Sequence, residues 1–380
     1  MIYLDSGATT LEKPPAVARA MAQAVGEMSS PGRGNYPASQ KAARTAYDCR
    51  EAAAELFHAP APEQVIFTCN ATHGLNIAIR TLVRPGCRVA VSGYEHNAVT
   101  RVLHSIPGVE IMVADAPLFR PEQTLEGFRT ALRRGVDAVI CNHVSNVFGC
   151  VQPVEELAGL CRRTHTPLIV DASQSAGILP VLLADWGAAF VAMPGHKGLY
   201  GPQGTGLLLC GAEASPLLYG GTGSASRRQT MPIDLPDRLE AGTHNMPGIA
   251  GLLEGLRFVS HAGVERIAQW ERRLTRRAEE GLARLPGVEV FADKTGQGQT
   301  GVLSFCVKGM DCEQVGEELA RRQIAVRAGL HCAPLAHRTA GTLESGTIRI
   351  SPSVFNTERQ INFFLREMRE ILRENTKKSV

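Results

Sequence analysis

The chain lacks the features of several protein classes. Aromatic residues make up only 5% of its 380 residues. No apolar run approaches the roughly 20 residues that cross a bilayer as a helix, which argues against a membrane partner. Met1 to Ser6 carry neither the basic segment nor the apolar stretch of a signal peptide, so a cytoplasmic location is expected. An excess of one charge is also missing. The 40 basic and 37 acidic residues are interspersed and leave a net charge of +3, so there is no electrostatic footprint for nucleic acid and a small-molecule substrate fits better. The ten cysteines form no CxxC pair and no zinc spacing, so no metal site is expected and most should be reduced, buried thiols. There is no internal repeat and no low-complexity tract.

With 44% hydrophobic content, the chain can bury a large core and fill two domains. Short apolar runs at 65–68, 88–91, 138–141, 168–171, 190–193 and 206–209 read as buried strands, mostly separated by helix-length segments, which implies a mainly parallel sheet covered on both faces. Past Gly248 the character changes. A charge-rich helical stretch at 265–285 leads to strands at 301–305, 324–327 and 348–350 with a helix at 311–322, a smaller α+β unit. Thr357 and Gln360 form a capping box for a last helix, and 374–380 reads as a frayed polar tail.

Chemistry enters at Lys197, in Met193-Pro194-Gly195-His196-Lys197-Gly198. An amine that can bind an aldehyde cofactor, an aspartate ending an apolar strand (Asp171) and a cysteine in a polar loop (Cys332) together suggest amino-acid chemistry on pyridoxal phosphate. Asp171 would face the pyridine nitrogen and Gln174, three residues on, the ring hydroxyl. Alone, an aspartate after a strand is more often a cap, and only the combination points to a cofactor. The segment from Asn70 to Asn76 follows a strand and opens a helix, where free N–H groups and the Thr72 hydroxyl suit a phosphate; Thr72 also reads as a plain helix cap. His96, just after the next strand, could stack on the ring and move protons.

These residues resemble the cysteine desulfurases of the class V aminotransferase group. The likeness is carried by residues 70–76, Glu95-His96-Asn97, 143–149, 171–175, Gly195-His196-Lys197, Glu240-Ala241-Gly242-Thr243 and 327–332, the last in the subgroup pattern Arg-x-Gly-x-His-Cys-Ala that also includes selenocysteine lyase-like enzymes. The resemblance implies a fold-type I pyridoxal 5'-phosphate enzyme. Its large domain, residues 15–250, would hold a mainly parallel seven-stranded sheet, and residues 1–14 with 251–380 would form the smaller α+β domain.

The resemblance also assigns roles. Lys197 would attach the cofactor, with Asp171, Gln174 and His96 around its ring and Ala71, Thr72 and His196 at its phosphate. Asn146 and Arg349 would hold the substrate carboxylate, and Arg327 would shape the loop of Cys332. Thr243 would reach the phosphate of a partner subunit, making a homodimer. L-Cysteine would become L-alanine, its sulfur passing to Cys332 as a persulfide and on to an acceptor protein. His331 and Arg327 would lower the Cys332 pKa. Selenocysteine lyase activity needs the same site. A non-catalytic persulfide relay through Cys150 or Cys312 is the alternative of another class. Four positions depart from the family pattern: Pro194 where a phosphate-binding serine is common, with Thr222 or Ser224 as substitutes, and Leu330, His73 and His244.

Overall fold

The six apolar runs become strands of one sheet in a computed structural model that describes residues 1–32, 34–296 and 298–378. Its order is Val65–Thr68, Gly206–Cys210, Phe190–Pro194, Leu168–Asp171, Ala138–Asn142, Arg88–Ser92, Glu110–Ala114. Gly206–Cys210 runs antiparallel to both neighbours, and the remaining pairings are parallel. Side chains alternate faces along each strand. Leu168 and Val170 pack in one core cluster with Leu252, Leu253 and Leu256, whereas Ile169 packs in a second with Leu75, Ile79 and Val99. Both faces are therefore covered, and the inner strands read as unbroken apolar runs.

Glu110–Ala114, the seventh strand, escapes the sequence reading because it is an edge. Glu110 and Val113 are exposed, so its composition is that of a half-wet segment. Helix Met246–Ala262 runs across position 250 and packs on helices Pro15–Glu27 and Pro37–Leu56.

A four-stranded antiparallel sheet follows, in the order Arg327–Gly329, Thr347–Ile350, Leu303–Val307, Val288–Phe291. The run at 324–327 divides. Ile324–Ala325 pairs in parallel with Ile2–Tyr3, and only the part from Arg327 joins the four-stranded sheet. Leu4 joins the core beneath this sheet, with Phe305, Ile348 and Phe364. The capping box at Thr357 forms: the Thr357 N–H donates to Gln360 Oε1 at 3.0 Å, and the Gln360 N–H to Thr357 Oγ1 at 3.3 Å. The expected frayed tail from Glu374 is corrected. Helix Glu358–Lys378 continues through it because Ile371 is buried and Arg322 Nη2 donates to Glu374 Oε2 at 2.8 Å. Ser379 and Val380 lie outside the described residues.

Candidate active site

Parallel strands deliver their C-terminal ends to one edge of the sheet, where doubly wound folds bind ligands. Adjacent strands Phe190–Pro194, Leu168–Asp171, Ala138–Asn142 and Arg88–Ser92 bring Lys197, Asp171, Asn146 and His96 to that edge. All four line one cavity of about 110 Å³, together with Ala71, Thr72, Gln174 and His196. Burial, then the Arg349 charge, pushes the Lys197 amine down to about 8. Asp171 is buried, and its Oδ1 accepts from the Ser173 N–H at 2.9 Å. His96 caps helix Asn97–His104: its Nδ1 accepts from the Ala98 N–H at 3.0 Å, which leaves the ring proton on Nε2. Burial lowers the His96 pKa and keeps the ring neutral.

The helix at the far edge of the cavity, Ala71–Leu82, is capped by Asn70 and not by Thr72, since Asn70 Oδ1 accepts from the His73 N–H at 2.9 Å. Thr72 is left exposed on the first turn, where helix N–H groups lack intrahelical acceptors. His196 lies between: its carbonyl accepts from the Thr10 N–H at 3.1 Å and from Lys13 Nζ at 3.0 Å, while its buried Nδ1 has no partner. Gln174 Nε2 donates to the Gly7 carbonyl at 2.9 Å, so the N-terminal segment closes this side. Thr222 and Ser224 hydrogen-bond each other at 3.1 Å and are not among the described residues that line the cavity.

The cysteine loop is fixed through its carbonyls. Asn146 Nδ2 donates to the His331 carbonyl at 2.8 Å and the Asn97 N–H to the Cys332 carbonyl at 2.8 Å. His331 and Cys332 are consecutive non-glycine residues in the left-handed region, at φ 50° and 55°, a conformation costing about 1–3 kcal/mol per residue. Cys332 itself is exposed and Leu330 is 39% exposed. His331 does not serve as the cationic neighbour that the sequence suggested. Its Nε2 lies 3.1 Å from Thr347 Oγ1, and burial, with the Arg349 charge, holds its pKa down at about 2, so the ring is neutral at physiological pH.

Arg349 is fully buried, at 2% exposure. Its Nη1 donates to the Asn146 carbonyl at 2.7 Å and its Nη2 to Asp5 Oδ1 at 2.8 Å, while Nε has no partner. The other Asp5 oxygen accepts from Arg327 Nε at 3.0 Å. Asp5 lies in Tyr3-Leu4-Asp5-Ser6, where the family resemblance begins, but the sequence reading gives it no role. Glu95, next to His96, enters the sequence reading only as part of a motif and is given no role. It is buried, accepts from Ser92 Oγ at 2.5 Å and from the Asn142 N–H at 2.8 Å, and burial pushes its carboxyl up to about 8. Glu271 is a third such group. It lines a smaller cavity on another side of Lys197, accepts from the Tyr200 hydroxyl at 3.3 Å, and is likewise pushed up to about 8 by burial.

Thr243 is exposed and lines a different cavity, of about 160 Å³, with His73 and His244. Its loop is anchored by Glu240, which takes a two-pronged contact from Arg50 at 2.9 and 2.6 Å and lies 2.6 Å from His244 Nε2. Cys150 and Cys312 are buried, and burial raises both thiols, Cys150 to about 12, which leaves neither suited to relay sulfur. Among the described residues no group of three or more potential ligands could hold a metal ion, and no helix is long and apolar enough to cross a membrane.

The Lys197 cavity matches pyridoxal phosphate in its donor set. An amine of lowered pKa, a buried carboxylate, a neutral imidazole and a helix start with an exposed threonine surround it, and two buried polar atoms, Asn146 Oδ1 and His196 Nδ1, are without protein partners.

Comparison with known proteins agrees with this chemistry. Residues 2–364 match the family model for aminotransferase class-V. A probable cysteine desulfurase of Methanothermobacter thermautotrophicus is 32% identical, the alignment covering 97% of this chain and 94% of that one. A probable cysteine desulfurase of Mycolicibacterium paratuberculosis is 33% identical over 98% of this chain, which spans only 55% of that relative's length. Among solved structures, the apo cysteine desulfurase of Thermococcus onnurineus superposes with a TM-score of 0.89 at 30% identity, covering 98% of this chain and 95% of that one.

Proposed function

The chain belongs to the class-V aminotransferase family and, within it, to the pyridoxal-phosphate-dependent cysteine desulfurases, and from that premise we propose that it converts L-cysteine to L-alanine by moving the sulfur onto Cys332. The observation that carries this reading is the exposed Cys332 on a loop tied to Asn146 and Asn97, the two flanks of the Lys197 cavity.

When bound, pyridoxal phosphate supplies an electron sink that loosens the bonds at the substrate α-carbon. Lys197 would attach it, with Asp171 at the pyridine nitrogen, Gln174 at the ring hydroxyl, His96 on the ring face and Ala71, Thr72 and His196 at the phosphate, all of them lining the one cavity. A Lys197 amine near 8 has a substantial neutral fraction at physiological pH, so once freed it can accept the α-proton. Arg349, whose Nε is the donor left without a protein partner, and Asn146 would hold the substrate carboxylate. The Cys332 thiolate attacks the substrate sulfur; an S–S bond forms, the C–S bond breaks, and its electron pair stays with the carbon skeleton that leaves as alanine. Arg327, held by Asp5, would shape the loop that presents Cys332. Thr243, exposed and away from its own Lys197 cavity, reaches the phosphate of a second subunit in a homodimer. A sulfur-acceptor protein then takes the persulfide, and the whole reading suits a cytoplasmic enzyme. The division into a large domain at 15–250 and a small one from 1–14 and 251–380 belongs to the same reading.

The test is alanine release from L-cysteine and from L-selenocysteine by the holoenzyme and its Cys332→Ala variant, with reductant present. The wild type should release alanine from both, and the variant from selenocysteine alone, because selenium leaves without thiolate attack. Turnover of selenocysteine only, by both proteins, would make the chain a selenocysteine lyase. No turnover of either by cofactor-loaded protein would overturn the reading.

A further inference from the structure

Arg327 and Arg349 are register partners on neighbouring antiparallel strands, and Arg349 reaches the wall of the Lys197 cavity through its Nη1 bond to the Asn146 carbonyl. Like charges directly opposite on a ladder repel, and a fully buried arginine without a counter-charge is costly. Asp5 meets both demands. Its Oδ2 accepts from Arg327 Nε at 3.0 Å and its Oδ1 from Arg349 Nη2 at 2.8 Å. The backbone holds Asp5 in place: it forms a bridge with Ser351, two residues beyond Arg349, and the Gly7 N–H donates to Ser351 Oγ at 2.7 Å.

We propose that Asp5 is the positioning residue for the substrate carboxylate, holding Arg349 so that its unpartnered Nε edge faces the incoming anion and leaving the arginine pair one negative charge short. This rests on the reading that Arg349 binds that carboxylate. The donor inventory supports it: Nη1 is committed to the Asn146 carbonyl and Nη2 to Asp5, whereas Nε, buried, has no protein acceptor. The charge count agrees. Two guanidinium groups and one carboxylate leave a single positive charge, which one amino-acid carboxylate neutralises. Asp5 acts through the arginines and touches no reacting atom, so its signature is in binding and not in the chemical step.

Three proteins test this: the wild-type holoenzyme, Asp5→Asn, which keeps the shape and drops the charge, and Asp5→Ala, which leaves space for a small carboxylate. Removing the charge should raise KM for L-cysteine about tenfold or more and leave kcat within about twofold, as expected for loss of one charge-assisted contact that acts on binding. Formate should lower the KM of Asp5→Ala towards the wild-type value and have no such effect on Asp5→Asn, a rescue that a general loss of folding would not give. Calorimetric binding of L-alanine, which carries the same carboxylate, reads the same contact without turnover. Alanine binding equal in wild type and Asp5→Asn, or an unchanged or lowered KM in that variant, overturns the inference. Weakened alanine binding in the variant with no alanine release by the wild type would sink only the desulfurase reading.

Discussion

The Asn146 side chain donates a 2.8 Å hydrogen bond to the carbonyl of His331, the residue before Cys332. A group at the cavity wall thereby holds the loop of Cys332, and a loop with two successive left-handed residues needs such a restraint.

Asn146→Ala should therefore loosen the loop and, if Asn146 holds the substrate carboxylate as proposed, weaken substrate binding. A hydrogen bond of this kind contributes about 1 kcal/mol, enough to lower kcat/KM about fivefold or more. Alkylation of Cys332 should speed up and backbone exchange at 330–333 should rise, while the cofactor absorbance stays as in the wild type. An unchanged alkylation rate would mean that the Asn97 N–H alone holds the loop.

Lys197 should show its lowered pKa before any substrate is present. Burial disfavours the charged amine, bringing it from 10.5 to about 8. Covalent capture of pyridoxal phosphate by cofactor-free protein needs the neutral amine, so its rate should rise with pH and level off with a midpoint near 8. Stopped-flow absorbance would follow it. A rate still climbing steeply at pH 10 would mean an ordinary, solvated lysine.

Glu271 should weaken the fold as pH rises. Its carboxyl keeps its proton up to about 8 in the folded chain but only to 4.5 as a free group, so between those values the folded state binds more protons than the unfolded one and loses stability with increasing pH. Glu271→Gln keeps an acceptor for the Tyr200 hydroxyl and removes the titration. Denaturant melts of both proteins from pH 5 to 8 should diverge in favour of the variant, by at most about 1.4 kcal/mol per pH unit. Parallel curves would place the carboxyl in water.

The parts of the site that the sequence made legible are those written in contiguous letters. Asp171 ends an apolar run, Lys197 follows another, and Asn70 to Asn76 opens a helix, so strand ends and ligand groups are read together. Neighbours from elsewhere in the chain are invisible in that way. His331 looked like a charge source because its environment is made by Thr347, His337 and Arg349, three residues of later segments. Thr72 looked like a cap because Asn70 caps equally well in principle, and only backbone geometry chooses. The strands Glu110–Ala114 and Val288–Phe291 are both sheet edges, where exposure dilutes the apolar pattern.

The ion pair of Asp5 with Arg349 joins residues 344 positions apart. During synthesis the strands that carry Asp171 and Lys197 leave the ribosome first, and folding units tend to form in that order. A nascent chain can thus have formed the sheet edge that carries Asp171 while Arg349 has yet to be translated. The sheet edge and the Asp5–Arg349 pair therefore form as separate events, the second waiting for a segment made late in synthesis.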